Sequence, residues 1–193
     1  MNRQELHKHN EVFRKYLSTF RETSKADPAD GEPEGVYCLP EGPEIEAVKF
    51  DDVQRKWFEG NRAKKCPCPC SVDAMYFADG KIYAVEFKSG TNVGEPNLLR
   101  KIYDTVLSLI EHDGITVKDC REKVVYVVVA PSVGSNTSQD VVSRASRYMK
   151  EPWKSHRWDR WGLYKLDGIV AFQTCVLPPD LFYRFAKSKH WVR

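Results

Sequence analysis

Residues 71 to 90 read SVDAMYFADGKIYAVEFKSG, and as a hairpin this segment would bring two acids and a lysine to one place. Asp79-Gly80 lies between two β-rich runs, the short-range signal for a two-residue primed turn, because both central positions need φ > 0. That turn sets the register: Ala78 faces Lys81, Tyr76 faces Tyr83, and Asp73 faces Glu86. Directly opposed residues share a face with Cβ atoms about 5 Å apart, and like charges there destabilise unless compensated. Lys88, two residues beyond Glu86, points the same way. Met75, Phe77, Ile82 and Ala84 make the rest of that face apolar, and Val72, Ala74, Tyr76, Tyr83, Val85 and Phe87 do the same for the other. Strands apolar on both sides belong in the middle of a covered sheet. Carboxylates at the end of such a pair call for a cation, and Mg²⁺ or Mn²⁺ favours carboxylate and carbonyl oxygen. The plainer alternative is an ion pair in which Lys88 neutralises both acids.

The surrounding elements form an α/β alternation. Gln4 to Phe20 carries Leu6, Val12, Phe13, Tyr16, Leu17 and Phe20 at near-helical spacing and predicts one first helix. Residues 24 to 35 have linker composition. Val36 to Leu39 predicts a short strand, EIEAVKF a strand, and FDDVQRKWFEGN a helical turn. After the hairpin, Asn97 is the expected N-cap of LLRKIYDTVLSLIEH, whose Leu98, Ile102, Thr105 and Leu109 form a buried stripe. VVYVVVAP reads as a central strand, and the helix before it lets that strand run parallel to the hairpin. Asp167-Gly168 repeats the hairpin signal, and PPDLFYRFAKSKHW starts like a helix. The expectation is one layered domain over 1–193, with 1–35 as an N-terminal helix plus linker and 36–193 as the core.

Asp73, Glu86-Phe87-Lys88 and the helix after them resemble the PD-(D/E)XK nuclease superfamily over about residues 44 to 130, with Val72 where the family name has proline. The second half also resembles a group of bacterial proteins with a C-D-A…I-E-F-K segment and a K-I-Y-D helix, a likeness that implies no activity. The superfamily resemblance implies a restriction-endonuclease-like α/β core with a mixed central sheet, its acid-bearing antiparallel hairpin flanked by helices. It implies metal-dependent phosphodiester hydrolysis, on DNA rather than RNA, leaving a 5′-phosphate and 3′-hydroxyl. Asp73, Glu86 and the Phe87 carbonyl would hold Mg²⁺ or Mn²⁺, and Lys88 would orient or deprotonate the attacking water. An upstream acid often joins such a site, and of Glu44, Glu46 and Glu59 we favour Glu46. Lys101 matches a position often basic near the substrate phosphate. It reads equally as a surface lysine beside Asp104.

Two further stretches carry weaker signals. In Lys64-Lys65-Cys66-Pro67-Cys68-Pro69-Cys70, three thiols project to one side of an extended chain and, with Cys38, could hold Zn²⁺ or an iron–sulfur cluster. Structural zinc sites space their paired cysteines more widely, so small buried thiols are the favoured reading. From Arg144 to Lys165, seven basic residues and two acids interleave with Trp153, Trp158 and Trp161, a pattern that can follow a phosphate backbone. Tryptophans in the core with solvated charges explain it better. His7, His9, His112, His156 and His190 show no ligand spacing.

With 30 basic and 27 acidic residues the net charge of +3 is compatible with nucleic acid without arguing for it. The polar start and the lack of an 18-residue apolar run predict a cytoplasmic chain with no membrane partner, and a homodimer is compatible. Six cysteines without an export signal are expected as thiols. Besides the nuclease, two other readings stand: a catalytically silent nucleic-acid-binding or regulatory protein of the same fold, and a thiolate-metal protein.

Overall fold

The computed structural model describes residues 11–26, 35–59, 68–89, 94–131 and 158–192. Asp79 and Gly80 have φ of 51° and 68°, so the primed turn forms, and the ladder from Ala78–Lys81 to Ala74–Val85 keeps the register that the turn dictates. These strands, β3 (Ala74–Ala78) and β4 (Lys81–Phe87), lie in the middle of a six-stranded sheet of order β1-β2-β3-β4-β5-β6. β1 (Leu17–Thr19), β2 (Glu46–Lys49), β3 and β4 are mutually antiparallel; β4, β5 (Val124–Val129) and β6 (Gln173–Leu177) are parallel. The parallel step from β4 to β5 passes through two helices, α4 (Glu95–His112) and α5 (Val117–Lys123), the latter closed by a Thr116–Asp119 capping box.

Helices cover both faces. On one, α1 (Glu11–Lys15), α3 (Phe50–Glu59), α4 and α5 pack on Met75, Phe77, Ile82, Ala84, Tyr126 and Val128. On the other, α2 (Phe20–Thr23) and α6 (Pro179–Ser188) pack on Tyr76, Tyr83, Val85, Val125 and Val127. The result is an α/β protein with a mixed open sheet between helical layers. Among the described residues no helix is long and apolar enough to cross a membrane.

Four expectations are corrected. The single helix over 4–20 is instead α1, β1 and α2, with residues before 11 outside the description. A helix has one apolar stripe, but Phe13 packs on one face of the sheet and Phe20 on the other, so the chain must cross the sheet edge between them. It does so as β1, which covers the edge of β2. The core therefore begins well before residue 36. Asn97 is not the N-cap: Gly94 is, because Pro96 belongs in the first turn and draws the helix start forward. Val36 to Leu39 makes only an isolated bridge, Lys25 with Tyr37. Asp167-Gly168 closes no hairpin, since Asp167 has φ of −61°; Leu163–Leu166 is a 3-10 turn whose two leucines are buried, and β6 pairs in parallel with β5.

Phe20 is fully buried, with ring centroids 5.0 Å from Phe182, 5.5 Å from Trp191 and 5.7 Å from Tyr76. Truncation there leaves a large cavity, so Phe20→Ala should cost about 3–5 kcal/mol in chemical denaturation. A loss below about 1 kcal/mol would return the segment to the status of an appendage.

Candidate active site

The end of the β3–β4 pair is reached by a segment held from two sides. Gln54 of α3, itself buried, donates from Nε2 to the carbonyls of Pro69 (2.8 Å) and Cys70 (3.0 Å). From α4, Asp104 Oδ2 accepts from the Cys70 amide at 2.9 Å and Thr105 Oγ1 from the Val72 amide at 3.1 Å. Residues 69–72 are thus a strap between two helices that delivers Asp73 to its place. Asp73's own carbonyl accepts from the Phe50 amide at 3.0 Å, where β2 turns into α3.

Asp73 and Glu86 lie side by side, on the face that α4 covers. Asp73 Oδ2 accepts from the Phe87 amide at 2.6 Å, continuing the ladder with a side chain. In a strand a residue's amide and carbonyl point the same way, so the Phe87 carbonyl also faces Asp73. Val72, its cross-strand partner by register, spends its amide on Thr105. Glu86 has no solvent exposure. Lys88 Nζ lies 2.7 Å from Glu86 Oε1, and Lys101 Nζ lies 2.8 Å from the same oxygen, 3.0 Å from Oε2 and 3.2 Å from Asp73 Oδ1. Lys101 is therefore a bridge between the two acids. Asp104 pairs with Arg100 at 3.5 Å, so the surface-lysine reading of Lys101 is set aside.

Burial, and then the Asp73 charge, push the Glu86 carboxyl up to about 7, while Lys101 and Lys88 pull it back only in part. Burial pulls the Lys101 ammonium down, but Asp73 and Glu86 together outweigh it and hold its pKa above the ordinary value. Beneath them, burial, with the charges of Glu86 and Asp73, raises the Tyr126 hydroxyl, which donates to the Leu98 carbonyl at 3.2 Å. Cys38 closes the far side: its thiol, pushed up to about 12 by burial, donates to the Lys88 carbonyl at 3.3 Å. Pro131 has no amide to take that carbonyl, and the thiol serves in its stead.

Glu46, the upstream acid favoured from the sequence, does not stand with Asp73 and Glu86. Glu46 is exposed at the start of β2 opposite Thr19, at the end of the strand remote from Lys49, whose partner is Ala74. Glu44 is exposed as well, and Glu59 is exposed at the end of α3, 3.2 Å from Lys56. Asp51, in the first turn of α3, stands next to the Phe50 that holds Asp73. It accepts from the Ser71 hydroxyl, and burial, then the Asp73 charge, raise its carboxyl to about 6. Extending the β2–β3 pairing by one step from Lys49–Ala74 sets Phe50 against Asp73 and Asp51 just beyond, a signal that needed the pairing of β2 to be known.

Among the described residues no group of three or more His, Cys, Asp or Glu is disposed to hold a metal ion. The donor chemistry at the strand ends nevertheless suits a hard cation: two carboxylates facing the same space, with Asp51 close by. That space is taken by the ammonium of Lys101. Of the cysteine run, Cys66 lies outside the described residues, and Cys68 and Cys70 are half-buried thiols. Cys38 belongs to the strand ends beside Lys88. Trp161 is buried and Trp158 packs against the core, whereas Trp153 and the stretch before residue 158 lie outside the description. His112 stacks on Trp57 at 4.9 Å and His190 is exposed; His7, His9 and His156 fall outside the described residues. No family model matches the chain, and neither does any curated protein or solved structure.

Proposed function

We propose that this chain is a metal-dependent phosphodiesterase acting on nucleic acid, DNA rather than RNA, on a restriction-endonuclease-like core. One observation carries the reading: two like-charged carboxylates stand abreast at the end of a buried strand pair, one of them with no solvent exposure, with two lysines turned to them and the Phe87 amide bonded to one. Holding such a group ionised is costly and earns its place where a multivalent cation must bind. Asp73, Glu86 and the Phe87 carbonyl would hold Mg²⁺ or Mn²⁺, which when bound lowers the pKa of water and offsets phosphoryl charge. Lys88 orients the attacking water and stabilises negative charge developing on the phosphoryl group, and its own carbonyl is held by Cys38 so that the stem leaves the strand in one direction. Asp51 takes the role expected of Glu46.

Purified protein with Mg²⁺ or Mn²⁺ should cut a mixed panel of single- and double-stranded DNA and RNA, leaving 5′-phosphate ends. Asp51→Asn should lower that rate about tenfold or more, as loss of an acid that positions the reaction does, while Glu46→Gln should leave it within about twofold. Equal effects of the two variants would count against Asp51. A second reading has its own observation: Lys88 and Lys101 already neutralise both acids, as they would in a silent nucleic-acid-binding or regulatory protein. Tight binding of DNA with no hydrolysis in either metal would select it. For the thiolate-metal reading, zinc or iron retained by protein purified without added ions is the test.

A further inference from the structure

We propose that Lys101 is a resident cation, filling the space between Asp73 and Glu86 in the metal-free protein and exchanging with the divalent ion, after which its ammonium is delivered to the substrate phosphate. This rests on the metal-dependent reading above and assigns the regulation of that site.

The two lysines are not equivalent. Lys88 meets Glu86 only, at 2.7 Å, from the side of its own strand. Lys101 comes down from α4 and touches both acids, 3.2 Å from Asp73 Oδ1 and within 3.0 Å of both Glu86 oxygens. An ammonium in contact with three oxygens of two carboxylates takes up the space that these acids would offer to a divalent cation. With both acids ionised, two carboxylates face two ammoniums, and Asp51, whose charge is felt by Asp73 and Lys101, adds a third negative charge beside them. Adding a divalent ion without removing a cation would therefore reverse the sign of the group and leave excess positive charge beside a fully buried glutamate. One cation must leave, and Lys101 occupies the shared space. Its side chain keeps 21% exposure, and a four-carbon stem lets the ammonium swing out.

The other acids near its path are engaged. Asp51 accepts from Ser71, and Asp104 holds Arg100 and the Cys70 amide. A phosphodiester arriving at the strand ends is then the natural counter-charge for the released ammonium. Ion and polyanion are therefore coupled: each favours the state in which Lys101 has left the acids, and by linkage each tightens the other.

The test is direct Mn²⁺ binding, read from the electron paramagnetic resonance signal of the free ion, in the unmodified protein, Lys101→Met, Lys101→Arg and Glu86→Gln. Removing the ammonium that competes for the ion's place should tighten Mn²⁺ binding by about tenfold or more in Lys101→Met, and not in Lys101→Arg. Thermal melting supplies the second readout: Lys101→Met should melt lower than the unmodified protein without metal and gain more from added Mn²⁺. If Lys101→Met does not fold, Lys101→Gln, which keeps a donor for the acids, carries the same expectation. Equal affinity in unmodified protein and Lys101→Met, with binding lost in Glu86→Gln, overturns the exchange and leaves the metal site standing. Weaker binding in Lys101→Met overturns it too, because the lysine would then organise the acids. If Mn²⁺ binds to none of the proteins, or binds regardless of Glu86→Gln, the metal-dependent reading itself fails and the exchange with it.

Discussion

Glu86→Gln is expected to cut Mn²⁺-dependent hydrolysis by about a thousandfold or more, the several kcal/mol that a bound metal ion contributes, while the chain stays folded. The side chain has no solvent exposure and lies within 3.0 Å of Lys101 and Lys88, so its charge cannot be supplied by bulk water or by a neighbouring surface acid. Glutamine keeps the volume and one acceptor oxygen but not the charge, so the amide should not hold the ion. The fold should survive for the reason that makes the residue unusual. Its carboxyl is pushed up to about 7, which means that the neutral form is tolerated in this environment far better than on a surface. The two lysines, at 20% and 21% side-chain exposure, can turn toward water when their partner is lost. Denaturant midpoints should therefore move little, and rate measurements on the same preparation should fall to background. Full activity in Glu86→Gln would remove the acid from the chemistry and leave the strand-end charges as a structural cluster.

Lys88→Met should lower the single-turnover rate by about 10²–10⁴-fold, the range for removing a proton-transfer or charge-stabilising group, without weakening Mn²⁺ binding. Lys88 pairs with Glu86 and not with Asp73, whose own partners are Lys101 and the Phe87 amide, so its loss should leave the two acids in place. Methionine retains most of the stem and its packing, separating the charge from the bulk. Parallel loss of metal affinity and rate would mean that Lys88 only fixes the glutamate. Loss of rate alone places it at the water and the phosphoryl group. Measured beside Lys101→Met, the pair separates two lysines that contact the same oxygen: one should cost rate, and the other should first change affinity.

The hairpin was legible because its rules are local. A two-residue turn with both φ positive must have a residue such as Asp followed by Gly, and once it is placed, a period of two assigns every side chain between Asp73 and Glu86 to a face. The central position of these strands followed from their being apolar on both sides, and the buried stripe of α4 from its 3.6 period. Local rules failed where the same residue types served two faces at once. Phe13 and Phe20 sit at spacing a helix would accept, yet they belong to cores on opposite sides of the sheet. Asp167-Gly168 has the composition of a hairpin turn, but Leu163 and Leu166 had a core to fill and β6 had β5 to pair with.

The sequence by itself determined which acids stand abreast, which lysine follows them on the same face, and that helices must cover both sides of their strands, since each depends on spacing along a few consecutive residues. Only the tertiary structure decided that Asp51 rather than Glu46 stands nearest, that Gln54 and Asp104 clamp the strap leading to Asp73, and that Lys101 joins the two carboxylates. Those contacts join segments many residues apart. They are set by how β2 pairs and how α4 lies across the sheet, choices made by burying the whole apolar surface together and written in no single stretch of chain.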